Sequence, residues 1–91
     1  MTITVNYLGQ LRNFAGVETE SRDVESSDIM DVVRNLSDAY GDDFGRVLLA
    51  DDGNLRPSVM ILVNDNPVQK DSLPPLKEGD KLTLMTAIAG G

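Results

Sequence analysis

Residues 90 and 91 are both glycine, and as the chain's end they are expected to hold a free carboxylate on a bare, unbranched backbone. Other reactive groups are scarce. Cysteine is absent, which removes disulfides, a thiolate nucleophile and metal sites built on sulfur. Histidine is absent too, and with it the commonest general base and nitrogen ligand. Ser26, Ser27, Ser37 and Ser58 have no Gly-x-Ser-x-Gly context and no histidine partner, so serine catalysis has no basis. Asp51-Asp52-Gly53-Asn54 superficially resembles a calcium loop but lacks the alternating ligands and the closing Glu, and reads as a solvated turn. Gly9, Gly16 and Gly41 are scattered and make no phosphate cradle. The terminal carboxylate is the reactive group that remains. The chain is expected not to be an enzyme in its own right, and to bind no metal.

A carboxylate on such a stalk must be displayed by something. Thr2 to Tyr7 alternates polar and apolar residues with period two, the pattern of a half-buried strand. Leu11 and Phe14, at i and i+3, suggest one helical turn ended by Gly16, and Val17 to Val24 a second, more polar edge strand. Ser26-Ser27-Asp28 announces a helix with Ser27 as the expected N-cap and Asp28 and Asp31 favouring its dipole. Ile29, Val32, Val33, Leu36 and Tyr40 then form one apolar stripe, stopped by Gly41. Phe44, Val47 and Leu48 suggest a shorter helix, with Asp42-Asp43 read as loop charge. Val59 to Val63 is an apolar strand, followed by a turn at Asn64-Asp65-Asn66-Pro67 and an edge piece at Val68. Pro74-Pro75 and Glu78-Gly79-Asp80 form the last loop before the final strand, Lys81 to Met85.

The order is ββαββ. It implies an α+β fold, a mixed sheet of four to five strands with one main helix packed across one face. With the first and last strands side by side at the centre, this is a β-grasp. The expected division is a domain over residues 1–85 and a flexible tail over 86–91. From Thr86 to Gly91 the tail can reach roughly 20 Å at about 3.3 Å per residue.

Strand phase exposes a second feature. If Ile3, Val5 and Tyr7 face the helix, Leu8 falls in phase with Thr2, Thr4 and Asn6 on the outer side. Leu82 and Leu84 inward put Met85 outward, and Val59, Ile61 and Val63 inward leave Met60 and Leu62 outside. Leu8, Met60, Leu62 and Met85 are thus expected as an uncovered apolar patch, a feature that marks partner sites. Methionine adapts well to such surfaces.

The remaining partners follow from charge and length. Eight basic against fifteen acidic residues give a net charge of −7, which repels nucleic acid and anionic membrane and suits a basic protein partner. No apolar run approaches 18 residues, and Met1 leads straight into strand residues rather than a signal peptide. The expected location is the cytoplasm.

An acidic ββαββ chain of this length ending in Ile88-Ala89-Gly90-Gly91 resembles the MoaD/ThiS family of ubiquitin-like sulfur carriers. Leu8-Gly9-Gln10-Leu11-Arg12, Val63-Asn64-Asp65 and Glu78-Gly79-Asp80 are similar to the family's turns around its first helix and its later strands. The length and the 39–49 region look MoaD-like or CysO-like. The tail, Met85-Thr86-Ala87-Ile88 in place of an aromatic residue and Pro-Pro-Val, is closer to ThiS. The resemblance implies that a ubiquitin-activating-type adenylyltransferase (MoeB/ThiF-like) adenylates the Gly91 carboxylate. That partner uses ATP and magnesium, and this chain binds no cofactor. Ala87, Ile88, Ala89 and Gly90, with Thr86, would thread the partner's channel, where a Cβ on the glycines would block passage. The product would be a thiocarboxylate that hands sulfur to an acceptor such as the large subunit of molybdopterin synthase, with the cysteine and thiamine pathways as alternatives. A modifier joined through Gly91 to target lysines, and a non-covalent interaction module, are the competing classes.

Overall fold

The alternating and apolar runs become strands, and the striped segment becomes the long helix. A computed structural model describes residues 1–86, in the order β1 (Thr2–Tyr7), α1 (Gln10–Ala15), β2 (Thr19–Asp23), α2 (Ile29–Tyr40), α3 (Asp42–Leu48), β3 (Val59–Val63), β4 (Asn66–Pro67) and β5 (Lys81–Thr86). The sheet order is β2-β1-β5-β3-β4. β1 and β5 pair in parallel, Thr4 against Lys81 and Tyr7 against Leu84, and every other pairing is antiparallel. The two sequence-distant strands thus lie together inside the sheet with helix packed on one face, which is the β-grasp arrangement.

The inner face is a single core. Ile3, Val5 and Tyr7 from β1, Leu82 and Leu84 from β5, and Val59 and Ile61 from β3 are buried against Ile29, Val32, Val33 and Leu36 of α2. Phe44 and Leu48 of α3, Leu11 of α1 and Leu76 from the last loop complete it, whereas Phe14 stays exposed. Tyr40, the last residue of the α2 stripe, is only half-buried, its ring against Tyr7 and Phe44 at 5.8 Å and 5.3 Å.

Several local expectations are corrected. The N-cap of α2 is Asp28, not Ser27: its carboxylate accepts from Met30 N–H at 2.9 Å. Ser26 stabilises the same turn, its hydroxyl accepting from Asp28 N–H and donating to Asp31. Ser27 offers its carbonyl to Leu76 N–H at 2.8 Å, so its backbone joins the last loop to the helix start. Asp42 and Asp43 form the first turn of α3, where the helix dipole favours them, rather than lying in a loop. The turn after β3 is only Asn64-Asp65, both at positive φ (51° and 70°), as a two-residue hairpin of the type I′ class requires. Asn66 and Pro67 already pair back on Val63 and Leu62. β5 continues one residue past the expected end at Met85, with Thr86 opposite Val59.

Asn64 also fastens that turn to the start of β5. Its side chain donates to Asp80 Oδ1 and accepts from Lys81 N–H, both at 2.9 Å. The hydrogen bond from Asn64, with another from Lys77 N–H, holds the Asp80 carboxyl below the usual carboxylate range.

Chemical denaturation separates the two candidate caps. Asp28→Ala is expected to cost about 1 kcal/mol of stability, and Ser27→Ala to stay within about 0.5 kcal/mol of the parent. A larger loss for Ser27→Ala would return the cap to that residue.

Candidate functional site

The candidate site is the outer face of the sheet where β5 ends. Parallel pairing makes β1 and β5 run toward the same end, so Leu8 follows Tyr7 there and Leu8 N–H donates to the Leu84 carbonyl at 3.1 Å. β3 is antiparallel to β5 and starts at that end, which sets Met60 directly opposite Met85 and Leu62 opposite Thr83. All four expected patch residues therefore lie on the uncovered face. Met60 is the most open at 41% exposure, and Leu8, Leu62 and Met85 are half-buried.

Three of the four share a groove of about 270 Å³, in which Leu8, Leu62 and Met85 are joined by Asn6, Thr83 and Thr19. Glu18 and Asp65 stand at its rim. Met60 lies beside the groove rather than in it. The polar members form a ladder across three strands: Thr19 Oγ1 donates to Asn6 Oδ1 at 2.8 Å, and Asn6 Nδ2 reaches Thr83 Oγ1 at 3.4 Å. Period two already placed Asn6 and Thr83 on this face. Glu18 and Asp65 come to it only through strand pairing, Asp65 being held by an ion pair of 2.6 Å with Lys81.

Thr86, the first expected tail residue, is the last residue of β5, and its hydroxyl is buried without a hydrogen-bond partner among the described residues. Ala87, Ile88, Ala89, Gly90 and Gly91 lie outside the described residues. Among the described residues no group of three or more acidic side chains could hold a metal ion. The Asp51–Asn54 segment is a turn in which Asp52 accepts from Asn54 N–H at 2.9 Å. No helix among the described residues is long and apolar enough to cross a membrane.

A further polar cluster lies on the opposite face of the sheet, and sequence reasoning missed it. Tyr7 and Tyr40 both donate their hydroxyls to one carboxylate oxygen of Glu20. Arg22 lies 3.8 Å from the same carboxylate and 5.9 Å from the Tyr40 ring centroid. Burial first, then the hydrogen bond to Glu20, raises both phenols above the ordinary tyrosine range. This cluster fastens β2 to β1 and α2 and is remote in role from the outer groove. Its signal in sequence was too weak to find, since 13 and 20 residues separate Glu20 from its partners.

The ThiS family model matches residues 5–91. The chain belongs to the ThiS family. Its members are small ubiquitin-fold carrier proteins rather than catalysts. Among solved structures the chain is similar to the Haloferax volcanii HVO 2177 protein, with a TM-score of 0.82 and 26% identity over 100% of this chain and 87% of that one. It is similar to the Amycolatopsis orientalis BexX/CysO complex structure, with a TM-score of 0.72 and 26% identity over 98% and 99% of the two chains. SAMP1 from Haloferax volcanii shares the fold across 100% of both chains, with a TM-score of 0.79 and 22% identity. No curated protein sequence matches.

The chain's only two tyrosines are the pair on Glu20, so phenolate absorbance reports on this cluster alone. Raised phenol pKa values mean that the folded state keeps protons which the unfolded chain releases near pH 10. The stability contributed is whole below that pH and is lost as pH rises beyond it. In an alkaline titration, phenolate absorbance is therefore expected to appear together with loss of the circular-dichroism signal. A phenolate signal near pH 10 in still-folded protein would contradict the network.

Proposed function

We propose that this ThiS-family chain is a sulfur carrier whose Gly91 carboxylate is activated as an acyl-adenylate and converted to a thiocarboxylate. The observation that supports it most is the family match, which runs through the β-grasp to Gly90-Gly91. The chemistry is consistent with the residues present. A carboxylate is ionised at neutral pH and resists attack. Attack of its oxygen on the α-phosphorus of ATP releases pyrophosphate and leaves a mixed anhydride. A sulfur donor then displaces AMP, and the carbonyl carbon exchanges one oxygen for sulfur. Nothing in this sequence of steps asks for a cysteine or histidine on the carrier.

In this reading the partners divide the labour. A ubiquitin-activating-type adenylyltransferase supplies ATP and magnesium, and the outer groove is its docking surface. The apolar Leu8, Leu62 and Met85 give it area to bury, and Met60 extends that area along β3. Because the groove lies where β5 ends, a protein seated on it is next to the point from which residues 87–91 depart. An acceptor enzyme then takes the sulfur. Three acceptor chemistries are distinguishable in a transfer assay with the charged carrier: a molybdopterin synthase large subunit, a thiazole synthase and a cysteine synthase. The molybdopterin acceptor is the first to try.

A second reading draws on the end-to-end fold likeness to SAMP1, which by name is a small archaeal modifier protein. There the same activated Gly91 would form an isopeptide bond with a target lysine. Mass spectrometry of the protein co-expressed with its activating enzyme separates the two. Sulfur carriage predicts a gain equal to the sulfur-for-oxygen mass difference, confined to the C-terminal peptide, and modification predicts higher-mass conjugates.

Deleting Gly91 is expected to abolish charging while changing fold stability by less than about 0.5 kcal/mol. A large fall in melting temperature would show that the residue serves the fold instead. Met85→Asp is expected to weaken binding to the activating enzyme in a calorimetric titration. Unchanged affinity would remove Met85 from the docking surface.

A further inference from the structure

β2 is an edge strand, and its free side has a definite pattern. At its end Met1 and Val24 exchange both backbone hydrogen bonds, at 2.9 Å and 2.8 Å, and at its start Tyr7 N–H donates to the Glu18 carbonyl at 2.8 Å. Bonded and non-bonded pairs alternate along an antiparallel ladder. Glu18, Glu20, Arg22 and Val24 therefore spend their backbone groups on β1. Thr19, Ser21 and Asp23 turn theirs away from the sheet, where they meet no backbone partner among the described residues.

Beside this edge, on the inner side, runs a groove of about 310 Å³ between β2 and α2. Val24, Val32 and Leu36 form its floor, with Asn35 and Glu25 among its walls. A strand added to β2 would project every second side chain over that floor, because side chains alternate across a sheet. The charges select what can be added. Glu18, Glu20, Asp23 and Glu25 stand against one Arg22 along this edge. Like charges on an edge discourage self-pairing, so a second copy of this chain is a poor occupant and a basic segment a good one.

We propose that the β2 edge is a docking site for an extended protein segment that pairs with it as a sixth strand, carrying lysine or arginine at its flanks and aliphatic residues at alternate positions between them. The backbone of Thr19, Ser21 and Asp23 supplies the ladder, the β2–α2 groove receives the aliphatic side chains, and Asp23 and Glu25 receive the flanks. The β2–α2 groove shares no lining residue with the outer groove, and the two sites meet only at the start of β2, where Thr19 and Glu18 also line the outer groove. Strand addition of this kind draws affinity from main-chain hydrogen bonds and specificity from side-chain pockets.

The test uses the isotopically labelled full chain and a capped peptide, Lys-Lys-Val-Thr-Val-Thr-Val-Lys-Lys. Two control peptides accompany it: one N-methylated at alternate residues, and one with glutamates in place of the lysines. The expected result is that the amides of Thr19, Ser21 and Asp23 shift and become protected from hydrogen exchange, together with shifts at Val24 and Asn35. N-methylation should abolish this, since it removes the peptide's donors. The glutamate peptide should bind weaker by about tenfold or more, and Glu25→Lys should weaken the lysine peptide. The proposal is overturned if the perturbed residues are Leu8, Leu62, Thr83 and Met85 of the outer groove rather than Ser21, Asp23 and Val24, if the N-methylated peptide binds equally, if no β2 amide gains protection, or if sedimentation shows a dimer formed through β2. These outcomes are independent of whether Gly91 is charged with sulfur.

Discussion

The parallel pairing of β1 with β5 is the constraint on which the rest of this structure depends. It joins Thr4 to Lys81 and Tyr7 to Leu84, strands separated by nearly the whole chain. Closing so long a loop costs conformational entropy that grows slowly with length, and the apolar residues the pairing brings together offset it. Ile3, Val5, Leu82 and Leu84 meet at the centre of the sheet and form the floor on which α2 and α3 pack. β5 lies inside the sheet, with Lys81 to Leu84 paired to β1 and Leu82 to Thr86 paired to β3.

The end of the sheet where β5 finishes carries the outer apolar groove. The same pairing that puts β5 beside β1 puts Leu8 beside Met85, and the antiparallel return of β3 adds Met60 and Leu62. One topological choice thus brings the last described residues of β5 beside an apolar surface. The inner face of the sheet is spent on stability and the outer face is left uncovered. Polar contacts follow the same division. The Glu20 pair of phenols closes the inner side at the β2 edge, whereas the Thr19–Asn6–Thr83 ladder crosses the outer side without covering the apolar groove.

Much of this was legible in order of elements and strand phase. Period two in Thr2–Tyr7 and the stripe from Ile29 to Leu36 identified the buried faces correctly, because those patterns are consequences of local geometry. The errors fell at caps and turns. Ser27 and Asp28 are adjacent and both capable of capping, and the choice depends on Ser27 giving its carbonyl to Leu76, far along the chain. Asn64-Asp65 makes a tighter turn than expected because Asn64 is also held by Asp80 and Lys81. Glu20 was invisible as a network residue, since nothing local distinguishes it from Glu18 or Glu25. Its role comes from facing inward between two phenols contributed by β1 and α2.

The sequence by itself determined the fold class and the sidedness of β1, β3 and β5. Those follow from the order of elements and from periodicities set by backbone geometry. Only the tertiary structure decided which acids reach the outer groove, which residue caps α2, and which edge of the sheet keeps its hydrogen-bonding groups free. Each of those depends on register between segments distant in the chain, and register is fixed by packing the whole core at once rather than by any local preference.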